Sequence, residues 1–81
     1  MVTAEVKIEL KEGIADPEGM NTEKTLKLLG WDVEKVQTGK LFEIVLGEGV
    51  PEEEARSEVE DMCKKLLANP VIQTYDIEIK D

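Results

Sequence analysis

The sequence predicts an α+β fold, the ferredoxin-like (split βαβ) sandwich, in which an antiparallel sheet carries two helices on one face. Three observations support this prediction. The predicted elements follow the order strand, helix, strand twice. Each helix begins at a proline that follows a glycine-bearing loop, and the first and last strands alternate between apolar and polar residues. With 81 residues, the chain is expected to form a single domain, 1–81, because it has no room for a second core.

The first strand is predicted over residues 2–11, because apolar and polar residues alternate there. Its apolar face consists of Val2, Ala4, Val6, Ile8 and Leu10. A helix is predicted to begin at Pro17, since Asp16 offers a capping carboxylate and proline suits the first helical position. It is predicted to end at Gly30, because glycine readily adopts the left-handed conformation found at helix C-termini.

The middle of the chain, residues 31–46, is predicted to form two strands in a hairpin around Gly39. A single long strand bent at Gly39 is the alternative, because an isolated glycine within a strand often marks a bulge. The stretch 41–46 is apolar on both faces except at one glutamate. One face can therefore meet the domain's own helices while the other meets a second subunit. The residues predicted for self-association are Leu41, Glu43 and Val45.

The second helix is predicted to begin at Pro51 and to close at Asn69-Pro70. Three consecutive glutamates in its first turn suit the positive end of the helix dipole. Apolar residues recur at spacings of three and four, which predicts one buried stripe. Its members are Ala55, Val59, Met62, Cys63, Leu66 and Leu67. The last strand is predicted over residues 71–80, where apolar and polar residues again alternate.

Composition narrows the possible functions. The formal net charge of −9 disfavours nucleic acid and anionic membrane surfaces as partners. Histidine is absent, which removes the commonest general base and transition-metal ligand. The single cysteine, Cys63, suits a core residue in a reducing cytoplasm better than a nucleophile. We therefore expect a cytoplasmic protein with no catalytic, cofactor-binding or metal-binding residue of its own.

Three ordered motifs are spread along the chain: LKEGIADPEG at 10–19, VQTGK at 36–40 and LLANPVI at 66–72. At these positions and distances they resemble the PurS family, small subunits of phosphoribosylformylglycinamidine synthase. The resemblance implies a non-catalytic structural subunit in de novo purine biosynthesis, which brings a PurQ-type glutaminase subunit and a PurL-type synthetase subunit together for ammonia transfer. It implies a homodimer or homotetramer of the subunit, and ATP and magnesium for the whole ligase complex but no cofactor in this chain.

Partner contacts are expected in three loops, because loops on a rigid sheet usually carry recognition. The candidate residues are Gly13, Asp16, Pro17, Gly39, Lys40, Asn69 and Pro70. The same residue types are also what ordinary turns and helix caps require, so both interpretations stay open. The alternative function is a small-molecule-sensing regulatory domain, since ferredoxin-like dimers of this size often bind amino acids at their interface.

Overall fold

The computed structural model describes residues 1–80, and these form three strands, two α-helices and one π-helical turn. In chain order the elements are β1 (Thr3–Leu10), α1 (Pro17–Leu28), β2 (Gly39–Val45), α2 (Glu52–Met62), the π-helical turn (Cys63–Leu67) and β3 (Gln73–Lys80). Strands β2 and β3 both pair antiparallel with β1, in the order β2-β1-β3. The predicted α+β class, with an antiparallel sheet and two helices, is confirmed.

Residues 31–38 do not form a strand, so the hairpin prediction is wrong in its first half, and the single bent strand is wrong as well. Two carboxylates bind the backbone N–H groups that a strand would have donated to a neighbouring strand. Glu23 Oε1 accepts from Val36 N at 3.2 Å, and Asp16 Oδ2 accepts from Thr38 N at 2.7 Å. The segment therefore runs along α1 instead of joining the sheet.

The hydrophobic core lies between the sheet and α2. Strand β1 contributes Ala4, Val6 and Ile8, and α2 contributes Ala55 and Val59, all of them buried. Helix α2 packs on β3 and β1. Full burial of each valine or isoleucine side chain among them stabilises the fold by roughly 1.5–3 kcal/mol. The apolar face predicted for the first strand and the apolar stripe predicted for the second helix thus pack against each other in one core.

The apolar stripe of α2 does not continue through the following turn. Cys63 is buried, but Leu66 is 82% exposed, so the prediction that Leu66 is buried is wrong. The chain widens here into the π-helical turn, in which Ala68 N donates to Cys63 O at 3.0 Å. This wider turn shifts the residues that follow out of phase with the α-helical stripe.

Helix α1 ends as the sequence predicts. Gly30 adopts a φ of +105°, and the Schellman hydrogen bonds form around it. Gly30 N donates to Lys27 O, and Trp31 N donates to Leu26 O, each at 3.1 Å. The left-handed glycine therefore turns the chain back, so that residues 31–38 return along the helix.

Helix α1 extends away from the sheet, while α2 lies on the predicted face. Within residues 1–80, no helix–strand packing comparable to that of α2 involves α1. The molecule measures 51 × 26 × 14 Å and has a radius of gyration of 16.1 Å, whereas a compact chain of this length has about 12 Å. We call residues 17–38, which comprise α1 and the returning segment, the arm. In the described part of the chain, no helix covers the α2-side face of β2 to the extent that α2 covers β3 and β1.

Candidate partner-binding site

The loops predicted to contact partners meet at one end of the sheet. The register pairs Leu10 with Gln73 and Glu9 with Gly39, so the end of β1 lies beside the starts of β2 and β3. We call this edge the loop end. The predicted contact residues all lie in or beside its loops: Gly13, Asp16, Pro17, Gly39, Lys40, Asn69 and Pro70. The structure therefore brings three segments that are distant in sequence to one place.

Asp16 organises the first of these loops. Its Oδ1 accepts hydrogen bonds from Gly19 N at 3.0 Å and Thr38 Oγ1 at 2.8 Å, while its Oδ2 accepts from Thr38 N at 2.7 Å. These hydrogen bonds lower the pKa of Asp16 below 3.8. The largest effect comes from the Thr38 N–H, followed by the Gly19 N–H and the Thr38 hydroxyl. Pro17 occupies the start of the helix, as predicted. Asp16 thus caps α1 and also ties it to the segment that enters β2.

At two positions of the loop end, the path of the backbone requires a glycine. Gly13 has a φ of +86°, a conformation that other residues adopt only with strain. Gly39 lies so close to β1 that a Cβ atom there would stand 2.8 Å from Ile8 O. Lys40 follows it, is exposed, and lies opposite Ile8 in the β1–β2 pairing. The tight approach at Gly39 fixes where the Lys40 side chain leaves the sheet.

The third loop is closed by hydrogen bonds around Asn69. Its Oδ1 accepts from Val71 N at 3.0 Å, while its own backbone N–H donates to Gln73 Oε1 at 2.7 Å. The Asn69 carbonyl also accepts from Gln73 N at 2.8 Å. Pro70 is exposed beside this turn. The Asn69 side chain therefore shapes the loop, and the exposed groups of Pro70 and Val71 form its surface.

Sequence reasoning did not identify Gly19, Glu23 and Thr38 as parts of this site. A Cβ atom on Gly19 would lie 2.6 Å from both Asp16 Oδ2 and Val36 O, so glycine is needed for the close approach of helix and segment. Lys27 Nζ donates to Glu23 Oε2 at 3.1 Å and, together with the Val36 N–H, lowers the pKa of Glu23. A glycine inside a helical pattern was the available signal, because such a glycine often has a packing reason.

Within residues 1–80 the remaining polar groups do not assemble a metal centre, since no cluster of three or more potential ligands occurs there. Burial raises the pKa of the Cys63 thiol. Arg56 Nη2 donates to Ile77 O at 3.1 Å, which places a charged side chain over the outer edge of β3. No helix in this part of the chain has the length and apolar character needed to cross a membrane.

A second exposed surface lies on the sheet face opposite α2, along β2. Leu41 is 66% exposed and Val45 is 58% exposed, as predicted, and Glu43 lies between them. Leu46 N donates to Val2 O at 2.9 Å. Because backbone groups alternate sides along an antiparallel strand, the N–H and C=O groups of residues 41, 43 and 45 point away from β1. Strand β2 is thus an open edge with two exposed apolar side chains.

Comparison with known proteins places this geometry in one family. The family model described as PurS, phosphoribosylformylglycinamidine (FGAM) synthase, matches residues 3–81. A phosphoribosylformylglycinamidine synthase subunit PurS from Archaeoglobus fulgidus is 59% identical over 75 residues, which cover 91% of this chain and 92% of that protein. The corresponding subunit of Methanocaldococcus jannaschii is 48% identical over 81 residues, covering 99% of this chain and 96% of that protein.

Solved structures agree with the sequence comparison. The crystal structure of Methanocaldococcus jannaschii PurS has a TM-score of 0.90 at 46% identity and covers 100% of this chain and 98% of its own. Bacillus subtilis PurS has a TM-score of 0.86 at 32% identity, and both chains are covered completely. A chain in the structure of PurLQS from Thermotoga maritima has a TM-score of 0.69 at 19% identity, with 99% of each chain covered, which shows the fold alone. The chain therefore belongs to the PurS family of phosphoribosylformylglycinamidine synthase subunits.

Proposed function

We propose that this chain is a non-catalytic structural subunit of a cytoplasmic phosphoribosylformylglycinamidine synthase in de novo purine biosynthesis. In this role it brings a PurQ-type glutaminase subunit and a PurL-type synthetase subunit together for ammonia transfer. The match to the PurS family over residues 3–81 carries the proposal. Two solved structures support it: the similar Methanocaldococcus jannaschii PurS is one of the subunits of formylglycinamide ribonucleotide amidotransferase in the purine biosynthetic pathway, and the Thermotoga maritima structure is that of PurLQS.

The loop end supplies the surface for those partners. Its loops are held by hydrogen bonds within the chain, through Asp16 in the first loop and Asn69 in the third. A preformed surface loses less conformational entropy on binding than a flexible one does. An adaptor that fixes two enzymes relative to each other needs this rigidity, because ammonia must travel between their active sites without loss to water.

ATP and magnesium belong, in this proposal, to the synthetase subunit. The first turn of α2 contains Glu52, Glu53 and Glu54, and this negative charge opposes phosphate binding at the helix N-terminus. The chain as a whole has a formal net charge of −9, which also opposes nucleotide binding. We therefore assign no cofactor to this chain.

Self-association as a homodimer or homotetramer is the second part of the proposal. Leu41, Glu43 and Val45 present exposed side chains and outward backbone groups on the open edge of β2. Open edge strands readily pair with another chain, whereas Arg56 covers part of the opposite edge at Ile77. The open edge and its exposed apolar side chains therefore suit contact with a second copy.

The test measures amidine formation by purified synthetase and glutaminase subunits with glutamine or free ammonia as nitrogen source. We expect glutamine-driven turnover to require this chain and ammonia-driven turnover to proceed without it.

Lys40→Glu at the loop end should weaken complex formation by at least about fivefold, because it reverses a charge at the contact. Lys24→Glu, which reverses an exposed lysine in the second half of α1, is the matched control and should have a smaller effect. If neither reaction responds and no complex forms, the adaptor proposal fails and a small-molecule-sensing function takes its place.

A further inference from the structure

The π-helical turn after α2 exposes a leucine that a regular α-helix would bury. Leu66 and Leu67 follow the buried Cys63 by three and four residues, so both would continue the apolar stripe of an α-helix. In the turn, however, Ala68 N donates to Cys63 O, five residues away instead of four. Of the two leucines only Leu67 packs against the core, whereas Leu66 is 82% exposed. Because π-helical turns are rare and occur frequently at functional sites, this exposed leucine is a candidate for recognition.

The loop that follows the turn holds a second apolar side chain at the surface. Val71 is 76% exposed, and hydrogen bonds fix the backbone on both sides of it. On one side, Lys11 N donates to Ile72 O at 2.8 Å, and on the other, Gln73 N donates to Asn69 O at 2.8 Å. A loop held in this way loses little conformational entropy when it binds a partner. We call the exposed apolar residues of this region the turn patch: Leu66, Pro70 and Val71.

The turn patch lies in the longest stretch of the sequence without an acidic residue. Residues 62–75 contain no aspartate or glutamate, and their two charged side chains are Lys64 and Lys65. Both lysines are exposed, and within residues 1–80 neither forms a salt bridge. The neighbouring Lys11 and Glu12 add one charge of each sign. In a chain with a net charge of −9, this local positive charge attracts carboxylates of a partner.

The position of the turn patch favours a partner enzyme as its occupant. An apolar centre with a charged rim is the usual arrangement of a contact between proteins. The patch adjoins Asn69 in the third loop, so it is continuous with the surface proposed above for the catalytic subunits. The surface proposed for self-association lies elsewhere, on the sheet face opposite α2, and consists of Leu41, Glu43 and Val45.

We propose that the turn patch is the apolar centre of the contact with one catalytic subunit, which receives Leu66 and Val71 in an apolar cleft bordered by carboxylates that face Lys64 and Lys65. This inference rests on the adaptor function proposed above and adds the chemistry of the partner surface. The π-helical turn positions Leu66 for this contact by holding it outside the core. Burial of the two apolar side chains excludes water from the centre of the contact, which is where binding energy concentrates.

The first test measures assembly of the full-length chain with purified glutaminase and synthetase subunits, offered separately and together, in the presence of glutamine, ATP and magnesium. Leu66→Ser should weaken assembly at least about tenfold, because it removes a central apolar anchor. Leu28→Ser is the matched control, since Leu28 is 78% exposed but lies at the far end of α1, and it should have a smaller effect. Wild-type assembly of Leu66→Ser, or an equal loss in the control, would overturn the proposal.

The second test examines the charge of the partner surface through the rate of association. At least one of the single variants Lys64→Glu and Lys65→Glu should associate about threefold more slowly than the wild type, because a reversed charge repels the carboxylates around the cleft. Lys24→Glu makes the same change on an exposed lysine of α1 and should leave the rate nearly unchanged. If both variants associate as fast as this control, the partner surface is not bordered by carboxylates and the proposal is wrong.

Light scattering of the same variants separates this contact from self-association. Leu66→Ser should self-associate like the wild type. If it loses self-association instead, a second copy covers the turn patch and the proposal is overturned. If Leu66→Ser assembles normally while glutamine-driven turnover still needs the chain, the adaptor function stands without this contact. If the wild type itself forms no complex with either subunit, both proposals fail.

Discussion

The sheet with α2 and the arm are held together by different kinds of interaction. In the first region, Ile8 and Val59 are buried in a continuous apolar core. In the second, Asp16 and Glu23 bind backbone N–H groups of the returning segment, while Leu28 is 78% exposed. The core is stabilised by excluding water from its own side chains, whereas the arm keeps its shape by hydrogen bonds and leaves large apolar side chains exposed.

Because of this difference, we expect the core to govern the folding of the single chain and the end of the arm to govern its assembly with a partner. Loss of an apolar group in the core should destabilise the single chain, because its neighbours cannot fill the cavity. Loss of an apolar group at the end of the arm should hardly change the stability of the single chain. It should weaken only the binding of a partner at that surface. The three predictions that follow test this contrast, beginning with the largest expected effect.

The largest contrast is expected between Ile8→Ala and Leu28→Ala. Ile8 is buried, so its truncation should lower the free energy of unfolding by about 2–5 kcal/mol. Leu28 is exposed, and its truncation should change the unfolding free energy by no more than about 0.5 kcal/mol. Urea denaturation, at a protein concentration where both variants are monomeric, measures the difference. Similar losses in the two variants would mean that the arm belongs to the folding core.

Gly19→Ala should loosen the arm without disturbing the core. Alanine normally stabilises a helix interior relative to glycine by roughly 0.5–1 kcal/mol, but here its Cβ would lie 2.6 Å from Val36 O. Relief of that overlap typically costs about 1–3 kcal/mol, so the net effect should be a loss of arm stability. Fluorescence of Trp31, the only tryptophan, reports it during denaturation.

The control for this variant is Gly49→Ala, because a Cβ atom at Gly49 meets no atom within 4 Å and its φ is not positive. It should not lower stability. A Gly19→Ala variant as stable as the wild type would contradict the close packing of helix and segment that the structure shows.

The smallest effect is expected from acid, and it should begin in the arm. The pKa values of Asp16 and Glu23 are lowered from 3.8 and 4.5 in the folded chain. Their contacts therefore contribute stability that is complete well above these values and is lost as the pH falls through the lower, folded-state values. Below about pH 4, Trp31 in the arm should respond before Tyr75, which packs against the core, as followed by fluorescence and near-UV circular dichroism.

The double variant Asp16→Asn, Glu23→Gln should remove this early acid response of Trp31, because neither amide titrates. Glu18→Gln, which changes a carboxylate in the first turn of the same helix, is the matched control and should keep it. A double variant with an unchanged acid response would show that other carboxylates hold the arm.

Much of the candidate site could be predicted because its signals are local. Asp16 before Pro17, and Gly30 at the helix end, follow from the requirements of helix termini, and the structure confirms both. Glu23 was not predicted, since its backbone partner Val36 lies 13 residues away. The bond between Asp16 and Thr38 spans 22 residues and was likewise invisible to local patterns. The valines at 33 and 36 suggested a strand that these two carboxylates prevent.

The sequence by itself determined the family, the strands β1 and β3, both ends of α1 and the apolar stripe of α2, because alternation, caps and helical spacing act over a few residues. Only the tertiary structure decided that α1 projects from the sheet, that residues 31–38 follow it, and that Leu66 turns outward. These outcomes depend on which distant groups compete for the same backbone N–H groups and the same apolar surface. That competition is settled only when the whole chain has folded.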